Sequence, residues 1–128
     1  MDSNSSYAMI GAGVCNCIIT TAGTTYSCYS FIGAGKLNTI ASSCNSSIVG
    51  GQNNTISGMY SSILGGSGNA VPSTVQYAGV FGCNVTAVQS CAMHANNFVA
   101  QNMPLAPGSG IPGSLYYDPG TCIVHITI

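Results

Sequence analysis

A short unit recurs along residues 9–98, and a repeat determines architecture before any single residue does. Each copy has a Ser or similar residue, two adjacent apolar residues, one or two Gly, a polar gap, and Asn followed by an apolar position. The clearest copies run over 46–56 and 61–71, with flanking copies that begin near Met9, Phe31 and Val80 and a less regular sixth copy at 93–98. The Gly and Asn that mark the repeat are Gly11, Gly33, Gly50, Gly65, Gly82, Asn16, Asn38, Asn54, Asn69 and Asn84.

The spacing of these Asn residues predicts the fold class. From Asn38 onward they recur every 15 to 16 residues, after one longer first step. That period is too short for a helical hairpin and suits one coil of two brief strands. Gly lets the backbone turn sharply or approach a neighbour, and Asn suits a left-handed turn position or a ladder of stacked amides. The sequence therefore predicts an all-β protein, a parallel β-roll or β-solenoid of short repeats.

Charge is nearly absent from the chain. Lys36, Asp2 and Asp118 are the only charged side chains, whereas about a quarter of the residues of an ordinary globular protein are charged. A monomer of this size normally needs interspersed charge to stay unassociated. We therefore expect the main partner to be the chain itself. A single cation also argues against nucleic-acid binding, which needs a basic face.

Adjacent apolar residues give a second reason to expect an oligomer. Neighbours in a strand point to opposite faces, so Ile48 and Val49, like Ile63 and Leu64, need cover on both faces. One residue of each pair is expected to fill one core. Its neighbour should fill a second core, either inside the coil or between chains.

The repeat pattern ends near residue 99, which predicts a repeat domain at 1–99 and a C-terminal neck or cap segment at 100–128. This second segment has Pro104, Pro107, Pro112 and Pro119, and 113–128 reads as a strand, a tight Asp-Pro-Gly turn and a returning strand. No run approaches the ~20 apolar residues of a membrane-spanning helix, so no membrane insertion is expected. The chain's end inside a strand pattern is typical of a piece of a longer fibre.

Seven cysteines form no metal-binding hooks of the paired CxxC type. They are Cys15, Cys17, Cys28, Cys44, Cys83, Cys91 and Cys122. Since an odd number cannot all pair within one chain, we expect most to be small buried apolar residues, as in a reducing compartment. Disulfides within or between copies are the alternative.

Catalytic and cofactor motifs are missing from the sequence. Gly33-Ala-Gly-Lys36 lacks the preceding Gly and the following Ser or Thr of a phosphate-binding loop. In Cys91-x-x-His94 and Cys122-x-x-His125, residues three apart on a strand point to opposite faces and cannot chelate one ion, although either His could hold a metal or anion on a threefold axis. With two carboxylates in total, the chain has few side chains that could act as a general acid or base. We therefore expect no enzyme activity, no metal and no cofactor.

Loops of varying length between the coils carry most of the tyrosines, and variable loops on one side of a solenoid often form its binding face. The candidate binding residues are Tyr26, Tyr29, Tyr60 and Tyr77. A Tyr ring offers a stacking face with a polar tip, which suits sugars or proteins. Ordinary interface packing is the structural alternative for these side chains.

A different alternative, an ice-binding surface, would use a row of Thr, but only Thr39 and Thr55 align before Ala70 interrupts them.

Two of the units carry a family resemblance. Ser46-Ser-Ile-Val-Gly-Gly-x-x-Asn54-x-Ile56 and Tyr29-Ser-Phe-Ile-Gly-Ala-Gly35 resemble the head repeats of YadA-type trimeric autotransporter adhesins. Similar repeats occur in fibre proteins of phages and giant DNA viruses, where a hairpin like that at 113–118 often follows. The resemblance covers roughly residues 6–98.

This resemblance implies a left-handed parallel β-roll, a homotrimer around one axis, and a role in attachment. Longer units, many Cys and the doubled Gly depart from the bacterial pattern and favour a virion fibre. The expected function is thus a structural and adhesive fibre segment on a virion or other extracellular surface, contacting a host glycan, a host protein or a neighbouring surface. A purely structural filament or capsid component is the alternative.

Overall fold

The computed structural model describes residues 6–20, 26–97, 99, 115–118 and 123–126. The chain forms two compact units, Met1–Asn97 and Phe98–Ile128. Strands are numbered in chain order. Sheet A contains β1 (Met9–Ile10), β3 (Phe31–Ile32), β5 (Ser47–Ile48), β7 (Ser62–Ser67), β9 (Gly79–Cys83) and β10 (Met93–Ala95). Sheet B contains β2 (Cys17–Ile19), β4 (Thr39–Ala41), β6 (Thr55–Ile56) and β8 (Ala70–Val71).

The first unit is a parallel β-solenoid, as the repeat spacing predicts. Every pair in the two sheets is parallel, and each of the strands β1 to β7 pairs with the strand two places along the chain, so these coils add one strand to each sheet. At the end of sheet A, β9 pairs with β10, the next strand along the chain. No helix occurs in the part of the chain that the structure describes, and therefore none there could cross a membrane. In the second unit, β11 (Leu115–Asp118) pairs antiparallel with β12 (Ile123–Ile126).

One aliphatic residue from each of the strands β1 to β9 packs in the core between the sheets. The alternation of strand side chains turns this residue inward and its neighbours outward. At 0 to 1 % exposure, the inward residues are Ile32, Ile48, Ile63 and Val80 from sheet A and Ile18, Ile40, Ile56 and Val71 from sheet B. His94 takes the corresponding inward place in β10, paired with Val80, and is half-buried.

The outward neighbours of the sheet A core residues are exposed. Val49, Leu64 and Phe81 retain 51, 55 and 57 % of their accessible surface. The predicted first core is thus formed by Ile48 and Ile63, whereas a second apolar environment for Val49 and Leu64 is not formed within one chain.

An asparagine ladder joins successive coils at the turn between the sheets. The Oδ1 atom of Asn38 accepts from the backbone N of Asn54 and from its Nδ2, both at 3.1 Å. The same arrangement starts at Asn16, and the Oδ1 of Asn54 then accepts from the backbone N of Asn69 at 3.0 Å. Each Nδ2 also donates to a carbonyl of its own coil and to a carbonyl of the next coil. For Asn54 these carbonyls belong to Gly50 (3.2 Å) and Gly66 (3.1 Å). The ladder therefore satisfies buried backbone groups that no strand pairing reaches.

Asn84 lies outside this ladder, although the sequence repeat groups it with the ladder Asn. Val85 stands over Asn69, and its backbone N donates to the Asn69 Oδ1 at 3.0 Å. The reason is a coil one residue shorter: Asn69 follows the core residue Ile63 by six positions, whereas Val85 follows Val80 by five. The sheet absorbs the difference as a register shift between Ile63 and Gly65. Asn84 instead takes a corner position with φ of 55°.

The repeat glycines fall into different columns. Gly11 and Gly33 are aligned with Val49, and Gly50 and Gly65 lie in the next column along the coil. The unbroken glycine column is formed by the second Gly of each pair, at φ of 95° to 144°: Gly13, Gly35, Gly51, Gly66 and Gly82. A Cβ at Gly51 would meet the backbone carbonyl of Gly66 in the next coil, so this column needs Gly for close approach.

The prediction of buried cysteines is wrong for the described thiols. Cys15, Cys17, Cys83 and Cys91 are exposed, and Cys28 and Cys44 are half-buried. All six are free thiols. They lie at corners or on outward strand positions because the inward positions are taken by Ile, Val and Asn. Cys122 lies outside the described residues.

Candidate functional site

One corner of the solenoid, immediately before sheet A, carries a column of tyrosines that we call the tyrosine corner. In chain order its members are Tyr7, Tyr29, Asn45, Tyr60, Tyr77 and Cys91, one from each coil. All have φ between 53° and 55°. Each stands three residues before the inward residue of the sheet A strand that follows.

The tyrosine rings stack along the solenoid axis in two pairs. Tyr7 and Tyr29 have ring centroids 5.0 Å apart, and Tyr60 and Tyr77 have centroids 4.8 Å apart, each pair with an interplanar angle of 3°. These distances match the ~4.8 Å spacing of neighbouring strands. All four rings are exposed, from 46 % for Tyr60 to 80 % for Tyr7. The corner thus presents a regular aromatic surface to solvent.

The left-handed conformation of this corner is unusual for bulky side chains. It is held by backbone bonds between coils. Asn45 N donates to Cys28 O at 2.9 Å, and Tyr60 N donates to Cys44 O at 3.1 Å. Such strain persists only where the surroundings over-determine it, and it often accompanies a functional surface.

Buried serines support the corner from inside. Ser30, Ser46 and Ser61 follow the corner residues directly and are at most 2 % exposed. Ser30 Oγ donates to Ser43 O at 2.7 Å, and Ser61 N donates to Ser46 Oγ at 3.2 Å. The tyrosines therefore stand on a base whose polar groups are bonded to neighbouring coils.

Three of the four predicted tyrosines lie in this column, and the fourth does not. Tyr26 is 58 % exposed and lies outside the column, where its carbonyl accepts from Cys44 Sγ at 2.7 Å. Sequence reasoning missed Tyr7, which stands three residues before Ile10 just as Tyr29 stands three before Ile32. That common offset is the signal that could have found it.

Cys28 and Cys44 are neighbours in the column beside the corner. Cys28 N donates to Cys44 Sγ at 3.3 Å. Desolvation raises the pKa of the Cys28 thiol, and the charge and hydrogen bond of Cys44 raise it further. Since the thiolate is the reactive form, this environment does not favour a nucleophilic role for Cys28.

No group of three or more His, Cys, Asp or Glu side chains positioned to hold a metal occurs among the residues that the structure describes. His94 Nε2 lies 2.9 Å from Gln89 O. The side chain of His125 lies outside the described residues.

The outer face of sheet A carries a second surface feature, which we call the apolar stripe. Val49, Leu64 and Phe81 lie on consecutive coils, and Phe31 and Met93 are also exposed on this sheet.

On the outer face of sheet B, Thr39 and Thr55 are paired, Ala70 follows, and a bridge then joins Ala70 to Thr86.

Comparisons with known proteins return no relative: no family model, no curated protein and no solved structure matches the chain.

Proposed function

We propose that the chain is a structural and adhesive segment of a surface fibre, assembled as a homotrimer on a virion or other extracellular surface. The apolar stripe carries this proposal. Monomeric proteins rarely expose a contiguous apolar surface without a partner for it, and Val49, Leu64 and Phe81 are each more than half exposed in a single chain. Copies of the same chain are the natural cover, because the stripe has no charge to recruit another partner.

The separation of buried, bonded positions from exposed positions within each coil also supports a fibre. Inward Ile and Val, the glycine column and the asparagine ladder are mutually satisfied between coils, which is the pattern of a stack stabilised by nearest neighbours. The exposed corner remains available for contact with a host glycan, a host protein or a neighbouring surface, and the tyrosines supply the contact area.

The oligomer is tested by solution mass. Wild-type chain should sediment as a species of three times its 12.9 kDa mass, and Leu64→Lys should shift it toward monomer because a charge would be buried in the interface. Val88→Lys is the matched control, since Val88 is 80 % exposed and belongs to no strand. A wild-type monomer at all concentrations, or equal effects of the two substitutions, would contradict the proposal.

Adhesion is tested separately from assembly. Labelled wild-type protein should bind candidate host cells, and binding should fall after enzymatic glycan removal if the receptor is a sugar. Binding that resists this treatment but is lost after surface proteolysis indicates a protein receptor. A trimer that binds no cells would leave the purely structural filament as the function.

An ice-binding surface is favoured by one observation, the return of Thr86 to the sheet B row after Ala70. Cys17 and Ala70 still interrupt the row at two of its five positions. We therefore expect no thermal hysteresis in solution, and a measurable freezing-point gap would favour ice binding over the fibre.

A further inference from the structure

The tyrosine corner has a gap at Asn45. The register puts Asn45 one coil after Tyr29 and one coil before Tyr60, so a short polar side chain stands where the column has rings on either side. With coils ~4.8 Å apart, the rings of Tyr29 and Tyr60 are about 10 Å apart. Each ring stacks on a tyrosine on its other side, at 5.0 and 4.8 Å. The gap is therefore one ring wide.

We propose that this gap is a binding slot for one neutral aromatic ring from a partner polypeptide, such as a Tyr or Trp side chain. A ring placed midway would lie about 5 Å from both tyrosine centroids, within the range of offset stacking. It would continue the geometry that the column already has. The slot is thus defined by the coil spacing and by two existing stacked pairs.

Asn45 supplies the polar floor of the slot. Its side chain is exposed, and the side-chain amide has no hydrogen-bond partner among the residues that the structure describes. An amide offers both a donor and an acceptor, which suits a phenol hydroxyl or an indole N–H at the ring edge. The chain's one cationic side chain, Lys36, lies in a different column of the solenoid. A nucleotide would leave its phosphates without a counter-charge there, so an uncharged ring is the better fit.

No other copy of the chain contributes a residue to the slot, so ring binding does not depend on assembly of the proposed fibre. Its walls and floor come from three successive coils of one chain, so trimer formation and ring binding can fail separately. Because one small ligand buries little surface, a free ring should bind with a dissociation constant on the order of 1 mM. A polypeptide that carries the ring would add contacts beyond the slot.

The test is a titration of the full chain with N-acetyl-tryptophanamide, followed by indole fluorescence, which the protein itself lacks because it has no Trp. Saturable binding is expected for wild type. Asn45→Tyr should abolish it by completing the column with the residue that four other coils carry at the same φ. Tyr29→Leu should weaken it at least tenfold by removing one wall. Tyr26→Leu, at an exposed tyrosine outside the column, is the matched control and should leave binding unchanged.

Circular dichroism of each variant separates loss of the slot from loss of the fold. The proposal is overturned if wild type shows no saturable binding, or if a correctly folded Asn45→Tyr variant binds as well as wild type. It is also overturned if Tyr26→Leu weakens binding as much as Tyr29→Leu. Adenosine is the second probe, and its binding more tightly than N-acetyl-tryptophanamide would overturn the assignment to a polypeptide ring.

Discussion

Gly50 and Gly51 are adjacent, yet alanine should destabilise the protein only at Gly51. Gly51 has φ of 99°, and a Cβ there would overlap the backbone carbonyl of Gly66. That oxygen accepts from Gln52 N at 3.0 Å and from Asn54 Nδ2 at 3.1 Å. Backbone strain of about 1 to 3 kcal/mol and two weakened hydrogen bonds of about 1 kcal/mol each add together. Gly51→Ala should therefore lower the free energy of unfolding by about 3 to 5 kcal/mol.

Gly50→Ala is the matched control. Gly50 does not have a positive φ, and a Cβ there would meet only Ala34 O, at 3.8 Å. Alanine also restricts the unfolded chain, so this variant should be unchanged or more stable by up to about 1 kcal/mol. Urea unfolding followed by circular dichroism, at one fixed protein concentration because association contributes to stability, measures both variants. Equal losses at the two positions would refute the assignment of the close approach to the second glycine.

Three further outcomes follow from the coil geometry. Asn54→Asp replaces a buried ladder donor with a carboxyl whose pKa burial should raise, so it should cost about 3 kcal/mol or more at neutral pH. That loss of stability should shrink as the pH falls below the raised pKa. Asn53→Asp, at an exposed position outside the tyrosine corner, should cost under about 0.5 kcal/mol. Urea titrations of both variants across pH compare the two losses. Because the pKa of Cys28 is raised, iodoacetamide should alkylate Cys28 only at a higher pH than it alkylates an ordinary thiol. Cys44→Ser should lower the pH at which Cys28 reacts. Mass spectrometry follows the alkylation. Ile63→Ala should cost about 2 to 5 kcal/mol in the same unfolding assay, because it opens a cavity at a fully buried position.

The sequence period predicts the parallel solenoid because each coil must bring equivalent residues into register. The recurrence of one aliphatic residue beside another also identifies the core, although it does not say which of the two faces inward. Ile48 and Ile63 prove to be inward, while Val49 and Leu64 are exposed. That choice depends on where the corner lies, and the corner is defined by backbone conformation that spacing alone does not reveal.

The remaining differences have local physical causes. The repeat groups Asn84 with the ladder asparagines because it follows Gly82 closely, but a coil one residue shorter moves the ladder position to Val85 and leaves Asn84 in the left-handed turn position. The second glycine of each pair lies too close to the backbone of the next coil for a Cβ, and this contact is not visible within one unit. The stacking of Tyr60 on Tyr77 likewise needs the register between coils, although their common offset from the strands is present in the sequence.

Length variation in this solenoid is concentrated on one side of the coil, and that arrangement explains how the tyrosine corner can diversify without disturbing the scaffold. Tyr29 precedes Ile32 by three residues, and the other corner residues keep the same offset. By contrast, Tyr29 follows the ladder residue Asn16 by thirteen residues, whereas Tyr60 follows Asn54 by six. Insertions therefore enter between the ladder and the corner and leave both sheets in register. Since loops carried by a rigid scaffold are the usual place for recognition, changes in partner specificity should arise in these segments beside the tyrosines.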